Sequence, residues 1–257
     1  MSTVPEIRIR ELNDRPRRSE REYVLYWMVA FRRKRYNFAL ERAVEIAREL
    51  KRPLLVFEAL RCDYPWASDR LHRFVLEGMA ANERRFESSA ARYFPYVETT
   101  RGVGKGLLEA LAERACAVVT DDFPAFFVPR MLAAAAKKLD VTLEAVDANG
   151  IVPLRATDRV FTVAHSFRRF LDKEILPYLR ASPKEDPLAR VDLPPLKVLP
   201  REITERWPLA SHKLLNVDPA AIAALPIGTP DRIASSRRAT SQTRATLAEW
   251  RSRLPRW

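Results

Sequence analysis

Cysteine occurs twice in this chain, at Cys62 and Cys116, which excludes a disulfide framework and any cysteine-built metal cluster. Histidine occurs three times, at His72, His165 and His212, too few and too scattered for a His-rich metal site, so no metal is expected. No run approaches the roughly 18 apolar residues of a membrane span, and the polar, charged amino terminus has no signal-peptide core. No membrane contact is therefore expected, and a reducing cytoplasm is the expected home. Acidic residues are in deficit, with 33 Asp and Glu against 45 Lys and Arg, a net charge of +12. Of the basic residues 36 are Arg and 9 are Lys. Arginine suits phosphate recognition, and the same bias also follows from the base composition of a gene, so charge alone does not choose a partner. At 257 residues the chain is long enough to bury a core without staples.

What is present is an alternation of apolar runs and helical spacings. Residues 1–22 carry six Arg, five acids and two prolines without an apolar period, and are expected to form an exposed arm. Tyr23–Ala30 is a continuous apolar run, as a strand buried on both faces requires. Leu40, Ala43, Val44, Ala47 and Leu50 then follow at helical spacing, and Leu54–Leu60 forms a second buried run. After Ser68, an N-cap residue, Leu71, Phe74, Val75, Gly78, Met79, Asn82 and Phe86 share a helical stripe. Further strands are expected at Tyr96–Thr99, Cys116–Thr120 and Val141–Val146, with helices at Leu107–Ala115 and Phe126–Leu139 between them. Five buried strands separated by helices predict a doubly wound α/β fold with a five-stranded parallel sheet.

The α/β domain is expected over 23–180 and closes with a helix at Phe161–Leu179, turning Ala164, Phe167, Phe170, Leu171 and Ile175 inward. Residues 181–230 hold nine of the nineteen prolines and read as an extended interdomain-type linker rather than a core-forming element. Residues 231–257, with seven Arg against two acids, form a basic tail that could begin a further helix through Leu247, Trp250 and Leu254.

In open α/β sheets ligands bind beyond the carboxyl ends of the strands, where strand order reverses. The residues at those places make Met28, Arg32, Glu58, Asp121, Asp122, Phe123 and Asn149 the candidate cofactor-binding set, with no catalytic residue among them. Four have a bland alternative: Asp122 as a helix cap, Glu58 as a partner of Arg61 or a nearby helix, Arg32 within the 31–35 basic run as a solvated face, and Asn149-Gly150 as a turn. Arg101–Gly106 lacks the early Gly and the Ser or Thr of a phosphate loop, leaving a tight turn with amides available to an anion. The dinucleotide fingerprint fails because the first strand leads into Met28–Phe31 without glycine, and no Gly-x-Ser-x-Gly elbow exists. Aromatic loops are conspicuous instead: Tyr26-Trp27-Met28, Tyr64-Pro65-Trp66 and Phe123–Phe127 lie at or near strand ends, where flat rings could line a planar chromophore or meet another domain.

The stretches Tyr23–Met28, Asn37–Leu40, Pro53–Val56, Asp63–Gly78, Val118–Pro124 and Glu144–Pro153 together resemble the amino-terminal α/β domain of DNA photolyases, especially the class II branch. The similarity runs from about Tyr23 to Tyr178. The resemblance implies light-driven repair of cyclobutane pyrimidine dimers by a flavoprotein that binds FAD and DNA. It also implies an antenna pigment, a deazaflavin or a folate, between the α/β domain and a helical domain. Such chemistry belongs to the cofactor and needs no side-chain triad. The family's helical domain, which holds the FAD cavity and most DNA contacts, is expected to be missing here. An amino-terminal portion of that kind would not repair DNA alone and would self-associate through its uncovered face; a free-standing chromophore- or nucleotide-binding module is the other reading. A premature stop, a shifted reading frame or a dedicated basic tail would each account for residues 231–257.

Overall fold

Val24, Tyr26 and Met28 point to one face of a central strand and Tyr23, Leu25 and Trp27 to the other, and all six are buried. That two-sided burial is why the run lacks polar alternation. The computed structural model describes residues 3–64, 66–196 and 198–227. Its strands are β1 (Ile9–Glu11), β2 (Tyr23–Met28), β3 (Leu54–Leu60), β4 (Ala91–Val97), β5 (Ala115–Asp121) and β6 (Leu143–Val146). They form one sheet in the order β1-β6-β5-β2-β3-β4, parallel except for β1, which runs antiparallel along β6. Helices α1 (Phe38–Leu50), α2 (Asp69–Glu87), α3 (Leu107–Ala112) and α4 (Val128–Lys138) make the crossovers. The doubly wound α/β fold is as expected, with a sixth strand added at its edge.

Five readings change. The amino-terminal segment is not simply exposed: Val4 and Arg8 are buried, and Ile9–Glu11 supplies the sixth strand, pairing Ile9 with Val146. A three-residue edge strand has too short a pattern to register as periodicity. In α2 the buried stripe is His72, Leu76, Met79, Ala80, Asn82 and Phe86, while Leu71 and Phe74 face solvent. The strand expected at Tyr96–Thr99 spans Ala91–Val97, with Pro95 inside it. Proline is tolerated there because β4 is an edge strand, and its carbonyl still accepts from Ala210 N–H at 2.9 Å.

The helix expected at Phe161–Leu179 is α5 (Ala164–Leu179), and none of its residues is buried. Its apolar residues do not turn into the core as anticipated; Phe161, Phe167 and Phe170 pack on one another instead, with centroids 5.1–6.4 Å apart.

The proline-rich stretch also departs from a plain linker. It carries α6 (Arg201–Arg206), α7 (His212–Leu215) and α8 (Pro219–Ala223) and straps the domain. Leu188 and Leu193 close the core beneath α1, Leu199, Ile203 and Trp207 close the opposite face, and Leu214, Leu215, Ile222, Leu225 and Ile227 cover α2. Isolated apolar residues among prolines have no period, so only the folded path reveals that they are core. Trp207 donates from Nε1 to the Val103 carbonyl at 2.8 Å and lies 3.5 Å from where a Cβ on Gly106 would sit. Gly106 itself adopts φ +90° at the start of α3. Trp207→Phe keeps most of the packing and loses the indole bond. We expect a loss of about 1 kcal/mol in urea unfolding, at unchanged slope. The basic tail expected over 231–257 lies outside the described residues.

Candidate functional site

Strand order reverses at β2, whose connection leads towards β3 on one side while β5 leads to β6 on the other. The crevice beyond the carboxyl ends of β2 and β5 is thus where a ligand is expected. Asp121, the last residue of β5, fills it from within. Its Oδ2 accepts from the backbone N–H groups of Val29, Ala30 and Phe31 at 2.7–2.9 Å, and its Oδ1 accepts from the Tyr26 hydroxyl at 2.7 Å. Burial pushes the Asp121 carboxyl above its ordinary value, although these four donors work the other way. Burial beside the same carboxylate drives the Tyr26 phenol well up.

Asn37 completes this network and explains where α1 begins. Its Oδ1 caps the helix by accepting from Ala39 and Leu40 N–H, and its Nδ2 donates to the Tyr26 hydroxyl and the Phe31 and Arg33 carbonyls. The loop between β2 and α1 is therefore held from two sides.

Glu58, near the end of β3, is fully buried and anchors a second network. Arg32 Nη1 donates to it at 3.0 Å, Asn82 Nδ2 at 2.9 Å and the Tyr93 hydroxyl at 2.5 Å. Burial, reinforced by Glu58, drives the Tyr93 phenol far up. Arg32 also reaches the Ala59 and Val29 carbonyls, tying the loop after β2 to β3. Met28 is buried in the core beneath α1, with its Sδ 3.8 Å from Asn82 Nδ2.

Asp122 receives a two-pronged contact from Arg10 at 3.0 and 2.8 Å, and a further one from Arg155 at 3.3 Å. Asn149 donates to the Asp122 carbonyl at 2.7 Å and to Asp147 at 2.9 Å. Buried Arg8 braces the same turn through the carbonyls of Asp147 and Ile151. The polar candidates are thus brought to the strand ends, each held by the protein's own groups. The Gly-rich turn follows the same rule: its amides at Gly102 and Gly104 donate to the buried carboxylate of Glu98 at 2.9 and 3.3 Å. The anion for which those amides were expected to be available is therefore a side chain of this protein.

Above this polar floor lies a crescent of rings drawn from three loops. Phe31 meets Phe123 edge-on at 6.2 Å, Phe123 stacks with Phe126 at 6.4 Å, and Phe126 meets Trp66 edge-on at 6.1 Å. Beside them Tyr64 contacts Phe127 at 6.5 Å and stacks on His72 at 5.7 Å, while Arg33 covers Phe31 at 5.4 Å. Phe123 is half-buried, but Phe126 is 72% and Trp66 61% exposed. Phe126 holds φ +58°, a conformation disfavoured for a side chain of this kind.

Comparison with known proteins bears on what this surface serves. The chain is 34% identical over 186 residues to a deoxyribodipyrimidine photo-lyase of Methanothermobacter thermautotrophicus. The chain is homologous to the amino-terminal part of a photo-lyase. The match takes in 70% of this chain and 41% of that relative, so the chain spans about two fifths of the photo-lyase. No family model matches the chain. Among the residues that carry the site's geometry, Asn37, Tyr93, Arg10 and Arg155 escape sequence reasoning as site residues, while Tyr26 enters it only as one ring of a strand-end aromatic run and Asn82 only as part of a helical stripe. Asn37 alone had a local signal, an Asn directly before a helical period.

Proposed function

We propose that this chain is the antenna-type amino-terminal portion of a light-dependent DNA-repair photolyase, and that its aromatic crescent holds a planar pigment, a deazaflavin or a folate. The observation that carries this is the run of rings Phe31, Phe123, Phe126 and Trp66 at the strand ends. Exposed rings on a strained loop gain little for folding, whereas they offer stacking faces to a flat ligand. The relationship to a photo-lyase supports a light-absorbing ligand. Phe123 belongs to the crescent directly. Asp121, Asp122, Glu58, Arg32 and Asn149 position its loops, and Met28 supports them from the core.

FAD and DNA are assigned to the remainder of a photolyase. The residues here do not suit a dinucleotide at the strand ends, because the amides that would cradle a diphosphate already serve Asp121 and Glu98. The same fact weakens a nucleotide-binding reading. In this proposal the chain works in the cytoplasm, does not split dimers alone, and meets a helical partner domain or a second copy through its exposed rings.

The test is titration of the full chain with a deazaflavin and with a folate, followed by pigment fluorescence. We expect binding that Phe126→Ser and Trp66→Ala each weaken about 10-fold, the scale of one lost ring contact. FAD should not be retained, and illumination should not repair dimers in DNA. Absence of binding, or binding indifferent to both substitutions, would overturn the pigment reading.

A further inference from the structure

His72 is fully buried in the first turns of α2, at the foot of the loop that carries Tyr64 and Trp66. Its two ring nitrogens face the two ends of that loop. Nε2 lies 3.2 Å from the Arg61 carbonyl, and Nδ1 lies 3.2 Å from the Ser68 carbonyl and 3.5 Å from the Tyr64 hydroxyl. The Ser68 carbonyl already accepts the helical N–H of His72 at 2.9 Å, so it needs nothing from the ring. In the tautomer on which the proposal rests, Nε2–H donates to Arg61 and Nδ1 accepts from Tyr64.

We propose that neutral His72 is the positioning residue of the aromatic crescent, and that its protonation turns Nδ1 from an acceptor for Tyr64 into a donor, freeing Tyr64 and loosening the loop that carries Trp66. This rests on the pigment reading only for its consequence at the ligand; the loop's behaviour stands on the geometry alone. Protonation takes the Nδ1 lone pair that the Tyr64 hydroxyl uses and aims the new N–H at Ser68. Tyr64 also touches Phe127, so both loops that frame the crescent feel the change.

The surroundings set the sign. Burial lowers the His72 pKa below 6.5, outweighing the two backbone carbonyls and Asp69 on its own helix, which favour the charge. The loop contributes the exposed Arg61–Asp63 pair, and Arg32 from the loop after β2 lies near Tyr64. The 123–127 loop contributes rings and no charge, while α7 and α8 cover α2 with Leu214, Leu215 and Ile222. Because the folded state binds the proton less readily than the unfolded chain, the stability contributed by neutral His72 is complete above about pH 6.5. It is lost as pH falls from there towards the folded pKa.

The test uses the full chain without pigment, labelled with 5-fluorotryptophan, the Trp66 resonance being assigned through Trp66→Phe. Between pH 8 and pH 5 that resonance should shift with a midpoint below 6.5, and His72→Gln, which keeps an amide donor near Arg61 but cannot titrate, should abolish the shift. Imidazole nitrogen shifts of the unsubstituted chain at pH 8 should report the Nε2–H tautomer, a readout that stands even if the Gln variant does not fold. The same transition in His72→Gln, no transition in the unsubstituted chain, or an Nδ1–H tautomer would each overturn the clamp. With the pigment added, affinity should fall several-fold across the same transition. A chain that shows the Trp66 transition but binds no pigment supports the clamp and overturns the pigment reading, so the two fail separately.

Discussion

Asp121→Ala should cost on the order of 4 kcal/mol in chemical unfolding, a large fraction of the stability of an ordinary domain. Three backbone N–H groups and the Tyr26 hydroxyl converge on this carboxylate, and the site is fully buried. Alanine would leave those donors without an acceptor, and each buried donor so stranded costs about 1–3 kcal/mol before relaxation. Asp121→Asn keeps one oxygen for the amides but turns an amide group towards Tyr26, which Asn37 already supplies with a donor. An intermediate loss of about 2 kcal/mol is expected, because the bonds lose their charge assistance. Asp122→Ala is the contrast: Arg10 and Arg155 are partly exposed and can turn to water, so about 1 kcal/mol is expected. If Asp121→Ala unfolds at nearly the same urea concentration as the unsubstituted chain, Asp121 does not hold the loop.

Glu58→Ala should be comparably severe, about 3–4 kcal/mol, for a related reason. Its removal strands the Tyr93 hydroxyl and one N–H of the Asn82 amide in the interior, the other keeping the Arg32 carbonyl, while the Arg32 side chain, which is partly exposed, can move out. Glu58→Gln fills the same volume and should cost roughly half as much, since it retains one acceptor and loses the charge. Coupling separates network from packing: in Glu58→Ala with Arg32→Ala, the loss should be smaller than the sum of the single losses by about 1 kcal/mol. Equal costs for Ala and Gln, or strict additivity with Arg32, would show that Glu58 acts through volume alone.

The two carboxylates show how far the chain itself could be read. An acid inside the apolar run Leu54–Leu60 and a double acid after Cys116–Thr120 are anomalies against a simple pattern, and both mark the strand ends correctly. Which role they play was not legible, because the donors to Asp121 lie 90 to 95 residues away. The partners of Glu58 come from three separate elements. His72 shows the same limit: its place on a helix follows from spacing, but the two carbonyls its ring faces are set by how the loop folds back.

The sequence by itself determined the α/β alternation, the doubly buried central strands and the resemblance to photolyases, because each is written in local period or contiguous motif. The tertiary structure alone decided three things. It made a short amino-terminal stretch into an edge strand and a proline-rich segment into a strap. It also filled the expected anion position at the Gly-rich turn with the protein's own Glu98 carboxylate. The edge strand and the strap depend on contacts between residues far apart in the chain, where no local pattern records the pairing, while Glu98, only four residues from Gly102, meets the amides through the way the turn folds back.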